Sequence, residues 1–222
     1  MHAYDFYLFG EKLTALRSGS LFWKDMRILC VSDLHLGKTH RLNRVGAGAL
    51  PPYENIDTLK RLQEDIRNTN PSCVICLGDS FDDPFAEKSL DNHEIDLLKI
   101  LQKGRDWIWI SGNHDPYKSC KYGEYLNSFS KSAITFRHIA LRGKNGEISG
   151  HYHPKISVKL SNATISKACF IADQNKVIMP AYGTYTGGMS VRSDEIKELF
   201  GLDAMVMLTG KKIRAVPYSS CF

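Results

Sequence analysis

The chain has 222 residues, of which 43% are hydrophobic, enough to bury one sizeable core. Its 29 basic and 24 acidic residues give a net charge of +5, which favours anionic partners. The pI of about 8.8 falls short of the level at which charge alone identifies a nucleic-acid-binding protein. No apolar run approaches the ~20 residues that span a bilayer, and the N-terminus lacks the pattern of a secretory signal. We therefore expect a cytoplasmic protein with a single domain over residues 1–222, including an N-terminal hairpin within residues 1–24.

The six cysteines are scattered along the sequence, and three of them lie in strongly apolar runs where a thiol behaves as a small hydrophobic group. Cys73 and Cys76 have the spacing of a redox or zinc motif. An extended strand, however, points residues three apart to opposite faces, and the sequence contains no second such pair. We therefore expect neither a disulfide framework nor a functional Cys-x-x-Cys motif.

The first half of the chain alternates buried strands with amphipathic helices. Trp107 and Trp109 alternate along one of these strands, and we expect one in the core and the other under a covering helix. The predicted elements are a hairpin over residues 4–16, strands over 21–23, 27–32, 72–77 and 106–111, a helix from Ile56 to Ile66, and a second helix capped by Asp91 and Glu94.

After about residue 130 the pattern changes to short strands with one helix. The predicted strands cover residues 134–141, 147–149, 155–160, 165–172, 176–179, 204–208 and 212–216, and the predicted helix covers residues 193–200.

Four motifs that carry metal-binding side chains occur in a fixed order, and three of them directly follow a predicted strand. They are SDLHLGK, GDSFD, GNHD and GHYH, which contain Asp33, His35, Asp79, Asn113, His114, Asp115, His151 and His153. In open α/β sheets, sites collect at the carboxyl ends of strands. Carboxylate, amide and imidazole ligands together can hold two divalent cations, with Asp79 as the natural bridge, and hydrolytic enzymes use such pairs on phosphate esters. We expect two divalent ions per chain, with Mn as the preferred metal and Fe or Zn as alternatives.

The ordered set Asp-x-His, Gly-Asp-x-x-Asp, Gly-Asn-His-Asp, a lone His and Gly-His-x-His resembles the signature of the calcineurin-like metallophosphoesterases. That resemblance implies an α/β sandwich of four layers, with two central sheets flanked by helices and a binuclear metal site at strand ends. It also implies that one ion is held by Asp33, His35, Asp79 and His153. The other would be held by Asp79, Asn113, His151 and the lone His, for which His138 is the best candidate. His138 lies within a predicted strand, so it could instead be a core histidine with satisfied hydrogen bonds.

Longer segments resemble a narrower group, the bacterial DNA-ligase-associated metallophosphoesterases. They are HLGKTHRLNRVGAGALPP, LGDSFDD, WIWISGNHDP, EISGHYHP and MPAYGTYTGG. This likeness implies a DNA substrate in a repair setting, in association with an ATP-dependent DNA ligase and a helicase. Members of the narrower group commonly have His where this chain has Asp82, whereas the wider superfamily has Asp there.

The charges suggest a mechanism in which a hydroxide bridging two cations attacks phosphorus in line with the leaving oxygen. We expect His114 to act as general acid or to stabilise the transition state, with Asp115 orienting its ring. Lys38, Arg41 and Arg44 follow the first motif and could bind substrate phosphates, although charged loop residues are usually only solvated.

Two further segments have less specific sequence signals. Residues 181–188, which include Tyr185, could form a loop facing the site or a simple turn. The basic cluster of Lys211, Lys212 and Arg214 could contact a DNA backbone, though a solvated strand end is the simpler interpretation.

Three functions remain open from the sequence. The first is a metal-dependent phosphodiesterase or nuclease acting on DNA. The second is a phosphoesterase for small molecules such as nucleotides. The third is a non-catalytic metal-binding partner in a repair complex, but that function predicts lost ligands, and every expected ligand is present.

Overall fold

The structure, a computed structural model, describes residues 2–48, 50–115, 122–160 and 163–222. Two β-sheets pack face to face, and helices cover their outer faces. In the described part of the chain, each helix is too short or too polar to cross a bilayer.

The first sheet has seven strands arranged in chain order. They are β1 (Ala3–Leu8), β2 (Glu11–Leu16), β3 (Leu21–Trp23), β4 (Ile28–Val31), β5 (Cys73–Leu77), β6 (Asp106–Ile110) and β7 (Glu124–Leu126). Strands β1 to β4 pair antiparallel, and β4 to β7 pair parallel. The helices between these strands are α1 (Lys38–Arg44), α2 (Glu54–Thr69), α3 (Ala86–Ser89) and α4 (Asn92–Gln102). The parallel half therefore directs the ends of β4, β5 and β6 to one edge of the sheet.

The second sheet is mixed, with the order β15-β14-β12-β13-β10-β9-β8, and β11 pairs with β12 outside this path. Its strands are β8 (Ser128–Lys131), β9 (Ile134–Arg137), β10 (Glu147–Ser149), β11 (Lys155–Leu160), β12 (Ala163–Ala172), β13 (Lys176–Ile178), β14 (Met205–Leu208) and β15 (Arg214–Pro217). A short helix, α5 (Asp194–Lys197), precedes β14, and a 3-10 turn over Tyr218–Cys221 follows β15.

The main core lies between the two sheets. Leu13 and Ile75 of the first sheet pack there with Phe136 and Phe170 of the second. Because the N-terminal hairpin contributes to this core, we propose that residues 1–222 form one domain. Two further clusters lie on the outer faces, one beneath α2 and α4 and one beneath α5.

Helix positions follow local sequence chemistry. Helix α4 begins at a capping box, in which Asp91 accepts from the Glu94 N–H and Glu94 accepts from the Asp91 N–H. Helix α2 ends at Asn70, which adopts the left-handed conformation common at helix ends. The hairpin and the strands β3 to β6 confirm the sequence prediction to within a residue or two at each end.

The structure also departs from the predicted elements. Helix α1 and strands β7 and β8 were not predicted, and α5 covers only four of the eight predicted helical residues. Strand β9 ends at Arg137, so His138 follows the strand rather than lying within it. Trp107 and Trp109 both pack beneath the helices, with ring centroids 5.6 Å apart, so the prediction that they separate was wrong. Residues two apart on a strand share one face.

The five described cysteines are buried and form no disulfide with one another. Cys73 lies in the core between the sheets, whereas Cys76 lies beneath the helices. The opposite orientation predicted for this pair is therefore confirmed. Cys120 lies outside the described residues.

Candidate metal centre

The motif loops of both sheets meet at one edge of the sandwich. The Asp33 N–H donates to the Gly78 carbonyl at 3.2 Å, and the His35 N–H donates to the Asp79 carbonyl at 2.9 Å. The His151 N–H donates to the Asp33 carboxylate, with its nearer oxygen at 3.0 Å. The loops after β4, β5 and β10 are thus tied together by direct hydrogen bonds.

A first cluster brings together Asp33, His35 and His153, with one candidate ligand atom from each within 4.8 Å of the others. His153 Nε2 lies 3.0 Å from Asp33 Oδ1, but the contact lacks hydrogen-bond geometry. His35 Nε2 is buried and has no hydrogen-bond partner among the described residues. Buried polar atoms are rarely left without partners, so two such nitrogens beside a buried carboxylate fit a cation between them.

A second cluster brings together Asp79, His138 and His151. His138 Nδ1 donates to the Leu77 carbonyl at 2.8 Å, which leaves Nε2 facing the cluster. Nε2 lies 3.3 Å from Asp79 Oδ2 and 3.2 Å from His151 Nδ1. A backbone carbonyl bound to the far nitrogen is the usual way to orient a metal-ligating histidine.

The charges of the second cluster are strongly coupled. Burial opposes a charge on His138, but the contact with Asp79 and the negative charge of Asp33 outweigh it and raise the pKa of His138 to about 9. Burial and the neighbouring His138 lower the pKa of His151. Burial also disfavours the Asp79 carboxylate, but its contact with His138 and the His114 N–H hold the pKa of Asp79 well below its usual value. The site therefore stabilises positive charge placed among these side chains.

The five candidate ligands on the DxH, GD and GHxH segments have left-handed backbone conformations, with φ between 45° and 69°. They are Asp33, His35, Asp79, His151 and His153. Such conformations cost non-glycine residues about 1–3 kcal/mol each and cluster at functional sites. They allow Asp33 and His35, two residues apart, to converge on the first cluster, whereas His151 and His153 reach different clusters.

Two glycines allow these loops to approach closely. A Cβ on Gly150 would lie 1.7 Å from Ser32 Oγ, although Gly150 itself has an ordinary φ. Gly78 combines a φ of +77° with a space in which a Cβ would lie 2.3 Å from His138 Nδ1. Side chains at either position would separate the loops that hold the two clusters.

Asp82 orients His35 and is itself almost fully buried, at 1% exposure. It accepts a hydrogen bond from His35 Nδ1 at 2.8 Å, so the unpaired Nε2 faces the cluster. Arg41 Nε also donates to Asp82, and Lys38 Nζ lies 3.6 Å away. Burial disfavours the Asp82 carboxylate, but the His35 and Arg41 contacts keep the pKa of Asp82 well below normal. Sequence reasoning found the Asp of Gly-Asp-x-x-Asp but missed this supporting role.

The third motif lies over the second cluster. Asn113 and His114 are exposed; Asn113 Nδ2 lies 3.5 Å from His151 Nδ1, and the His114 N–H donates to Asp79 Oδ1 at 2.8 Å. The His114 ring centroid lies 5.6 Å from that of His35. His114 therefore lies on the solvent-exposed side of the site.

Asp115 makes different contacts from those expected. Its carboxylate accepts from the Phe81 N–H at 3.0 Å and from the Gly112 N–H at 2.9 Å. Among the contacts that join described residues, none connects it to the His114 ring. Asp115 thus ties the second motif to the third, and burial raises its pKa.

The basic residues considered for substrate binding lie on helix α1 rather than in a loop, which corrects the sequence interpretation. Lys38 and Arg41 face Asp82, while Arg44 pairs with Asp83 and lies over the Phe85 ring. Each of the three is therefore close to a carboxylate rather than free to face a substrate.

Residues 181–188 form a loop against the first motif, because the Tyr182 N–H donates to the Ser32 carbonyl and the Gly183 N–H to the Asp33 carbonyl. Tyr185, partly buried on this loop, has a φ of 62°.

Comparison with known proteins agrees with this geometry. Residues 26–195 match the family model described as calcineurin-like phosphoesterase, so the chain belongs to that family. The family defines a metal-dependent phosphoesterase with a dinuclear metal site, and the two clusters are this chain's candidates for it. The fold is similar to the crystal structure of Pseudomonas putida nuclease MPE, with a TM-score of 0.76 and 20% sequence identity. That alignment covers 96% of this chain and 100% of the other. A comparison with curated protein sequences gave no match.

Proposed function

We propose that the protein hydrolyses phosphodiester bonds in DNA with the help of two divalent cations. The observation that carries this proposal is the pair of adjacent clusters, Asp33 with His35 and His153, and Asp79 with His138 and His151. Their mixed carboxylate and imidazole ligands suit Mn, Fe or Zn. Asp79 lies between the loops and is our candidate for the shared ligand, and Asn113 completes the second set.

Such cations, when bound, lower the pKa of water and neutralise charge on a phosphoryl group. The protein's own groups would do the remaining work. His114, exposed beside both clusters, is placed to donate a proton to the leaving oxygen or a hydrogen bond to the developing charge. Asp115 holds the His114 loop in place through the Phe81 and Gly112 N–H groups.

DNA is our preferred substrate for three reasons. The motif segments resemble the DNA-ligase-associated metallophosphoesterases, the net charge of +5 favours a polyanion, and a protein of similar fold is described as a nuclease. From the same likeness we propose a repair setting, alongside a DNA ligase and a helicase. We also propose that this setting is cytoplasmic, as expected from the sequence.

A substrate panel tests this proposal. The Mn-loaded protein would be assayed on bis-p-nitrophenyl phosphate, p-nitrophenyl phosphate, cyclic nucleotides, and nicked and single-stranded DNA, with the Asp79→Asn variant as the control for contaminating nucleases. We expect hydrolysis of the diester and of DNA, and its loss in the variant. Efficient hydrolysis of a small diester without cleavage of any DNA would instead identify a small-molecule phosphodiesterase.

A further inference from the structure

We propose that a basic cleft beside the metal centre binds the phosphate backbone of the DNA. Four exposed basic residues define this basic cleft: Lys167, Lys211, Lys212 and Arg214. The inference rests on the proposed function, because it assumes that the substrate is a nucleic acid.

The cleft has a volume of about 500 Å³ and lies between the β11–β12 hairpin and the β14–β15 turn. Its floor is aliphatic, formed by Val158, Ile165 and Leu208, and the basic side chains surround it. Among the described residues that line it, none is aromatic. The cleft therefore has no surface for stacking bases and suits contact with phosphates rather than reading of sequence.

The four basic side chains of the cleft form no ion pair with any described residue. By contrast, Lys38, Arg41 and Arg44 near the metal centre all lie close to carboxylates. Uncompensated cations that converge on a concave surface favour a polyanion, which releases its counterions on binding.

The topology places the basic cleft at the same edge of the sandwich as the metal centre. Strand β13 runs parallel to β10, and β12 runs antiparallel to β13. The first residues of β12 therefore lie at the edge of the sheet where β10 ends and His151 follows. Strand β14 runs antiparallel to β12 and therefore ends at that edge too. The Cys169 N–H donates to the Pro154 carbonyl at 3.0 Å, directly beside His153.

The first sheet extends this surface. Strands β2 and β4 both pair antiparallel with β3, so β2 ends at the edge where β4 delivers Asp33. Arg17 is exposed and directly follows β2. Its backbone carbonyl accepts a hydrogen bond from the Gly210 N–H, and its side-chain Nη1 donates one to the Lys211 carbonyl in the β14–β15 turn. A DNA strand whose scissile phosphate lies at the metal centre can thus continue along this edge into the basic cleft.

The test removes three charges from the turn and the hairpin, with Lys167→Gln, Lys211→Gln and Lys212→Gln in one chain. The matched control removes three exposed lysines at the opposite edge, with Lys24→Gln, Lys103→Gln and Lys144→Gln. Binding of the metal-loaded proteins to a labelled oligonucleotide with phosphorothioate linkages is measured by fluorescence anisotropy over a range of NaCl concentrations. Hydrolysis of bis-p-nitrophenyl phosphate reports whether the site itself remains intact.

We expect the cleft variant to bind DNA about threefold to a hundredfold more weakly at low salt, as three exposed ion pairs are lost. The slope of log K against log salt should fall in magnitude by roughly two to three, and equally for different sequences. Small-diester hydrolysis should not change, and the control variant should behave as wild type.

Three outcomes would overturn the inference. The first is that the cleft variant binds DNA as tightly as wild type. The second is that the control variant loses as much DNA affinity as the cleft variant. The third is that the cleft variant loses binding to anionic phosphatidylserine vesicles but still binds DNA. The two proposals fail in different ways. If the wild-type protein cleaves DNA and the cleft variant binds it equally well, only the cleft is refuted. If the cleft binds DNA that the protein never cleaves, only the proposed activity is refuted.

Discussion

The replacement Asp82→Asn tests whether the buried carboxylate behind His35 supports a metal ligand. Asp82 is 1% exposed and accepts from His35 Nδ1 at 2.8 Å, so solvent does not screen this contact. Removal of such a supporting partner typically weakens metal affinity 10- to 100-fold, or about 1.4–2.7 kcal/mol. Asn keeps the size of the side chain but loses its charge, so we expect an effect within this range at the site that contains His35.

Calorimetric titration of the metal-free protein with Mn²⁺ measures this change. The matched control is Asp83→Asn, since Asp83 is adjacent in sequence but pairs with Arg44 and contacts none of the candidate ligands. We expect one of two binding steps to weaken in Asp82→Asn and neither to weaken in Asp83→Asn. Equal affinities in the wild-type protein and Asp82→Asn, with both folded, would refute the supporting role of Asp82.

Three further replacements give distinct results. His114→Ala should retain both metals while kcat falls by about two orders of magnitude or more, as measured by metal analysis and diester hydrolysis, and an unchanged kcat would remove His114 from the mechanism. Asp79→Asn should lower the occupancy of both ions, and elemental analysis showing two metals per chain would contradict a shared ligand. Gly150→Ala places a Cβ 1.7 Å from Ser32 Oγ, so it should lower the free energy of unfolding in urea by about 1–3 kcal/mol. The control is Gly187→Ala, whose Cβ meets no atom within 4 Å and which should leave stability nearly unchanged. Equal stability of the two alanine variants would show that the loops tolerate separation.

Much of the architecture could be predicted from the sequence because it depends on local patterns. Continuous apolar runs marked β4, β5 and β6, and a Gly-containing turn marked the first hairpin. The ligand motifs followed these runs directly. The rule that strand ends meet at one edge then predicted that Asp33 and Asp79 would lie close together, as their loops do.

The parts that the sequence did not predict depend on contacts between distant segments. Helix α1 has only one buried residue, Thr39, so it lacks the apolar periodicity from which helices are predicted. Asp115 contacts the Phe81 N–H across 34 positions of sequence, a pairing that no spacing rule contains. The pairing of Lys38 and Arg41 with Asp82 likewise joins segments that are far apart in the sequence, so no local pattern predicts it.

The most direct test of the account is an anomalous diffraction experiment on crystals of the Mn²⁺-loaded protein. We predict two anomalous peaks roughly 3.5–4 Å apart, the separation typical of two-metal sites. One should lie among Asp33, His35 and His153, and the other among His138, His151 and Asn113, with Asp79 between them. An absence of peaks at this edge, or a single ion bound elsewhere in the fold, would contradict the proposed binuclear centre.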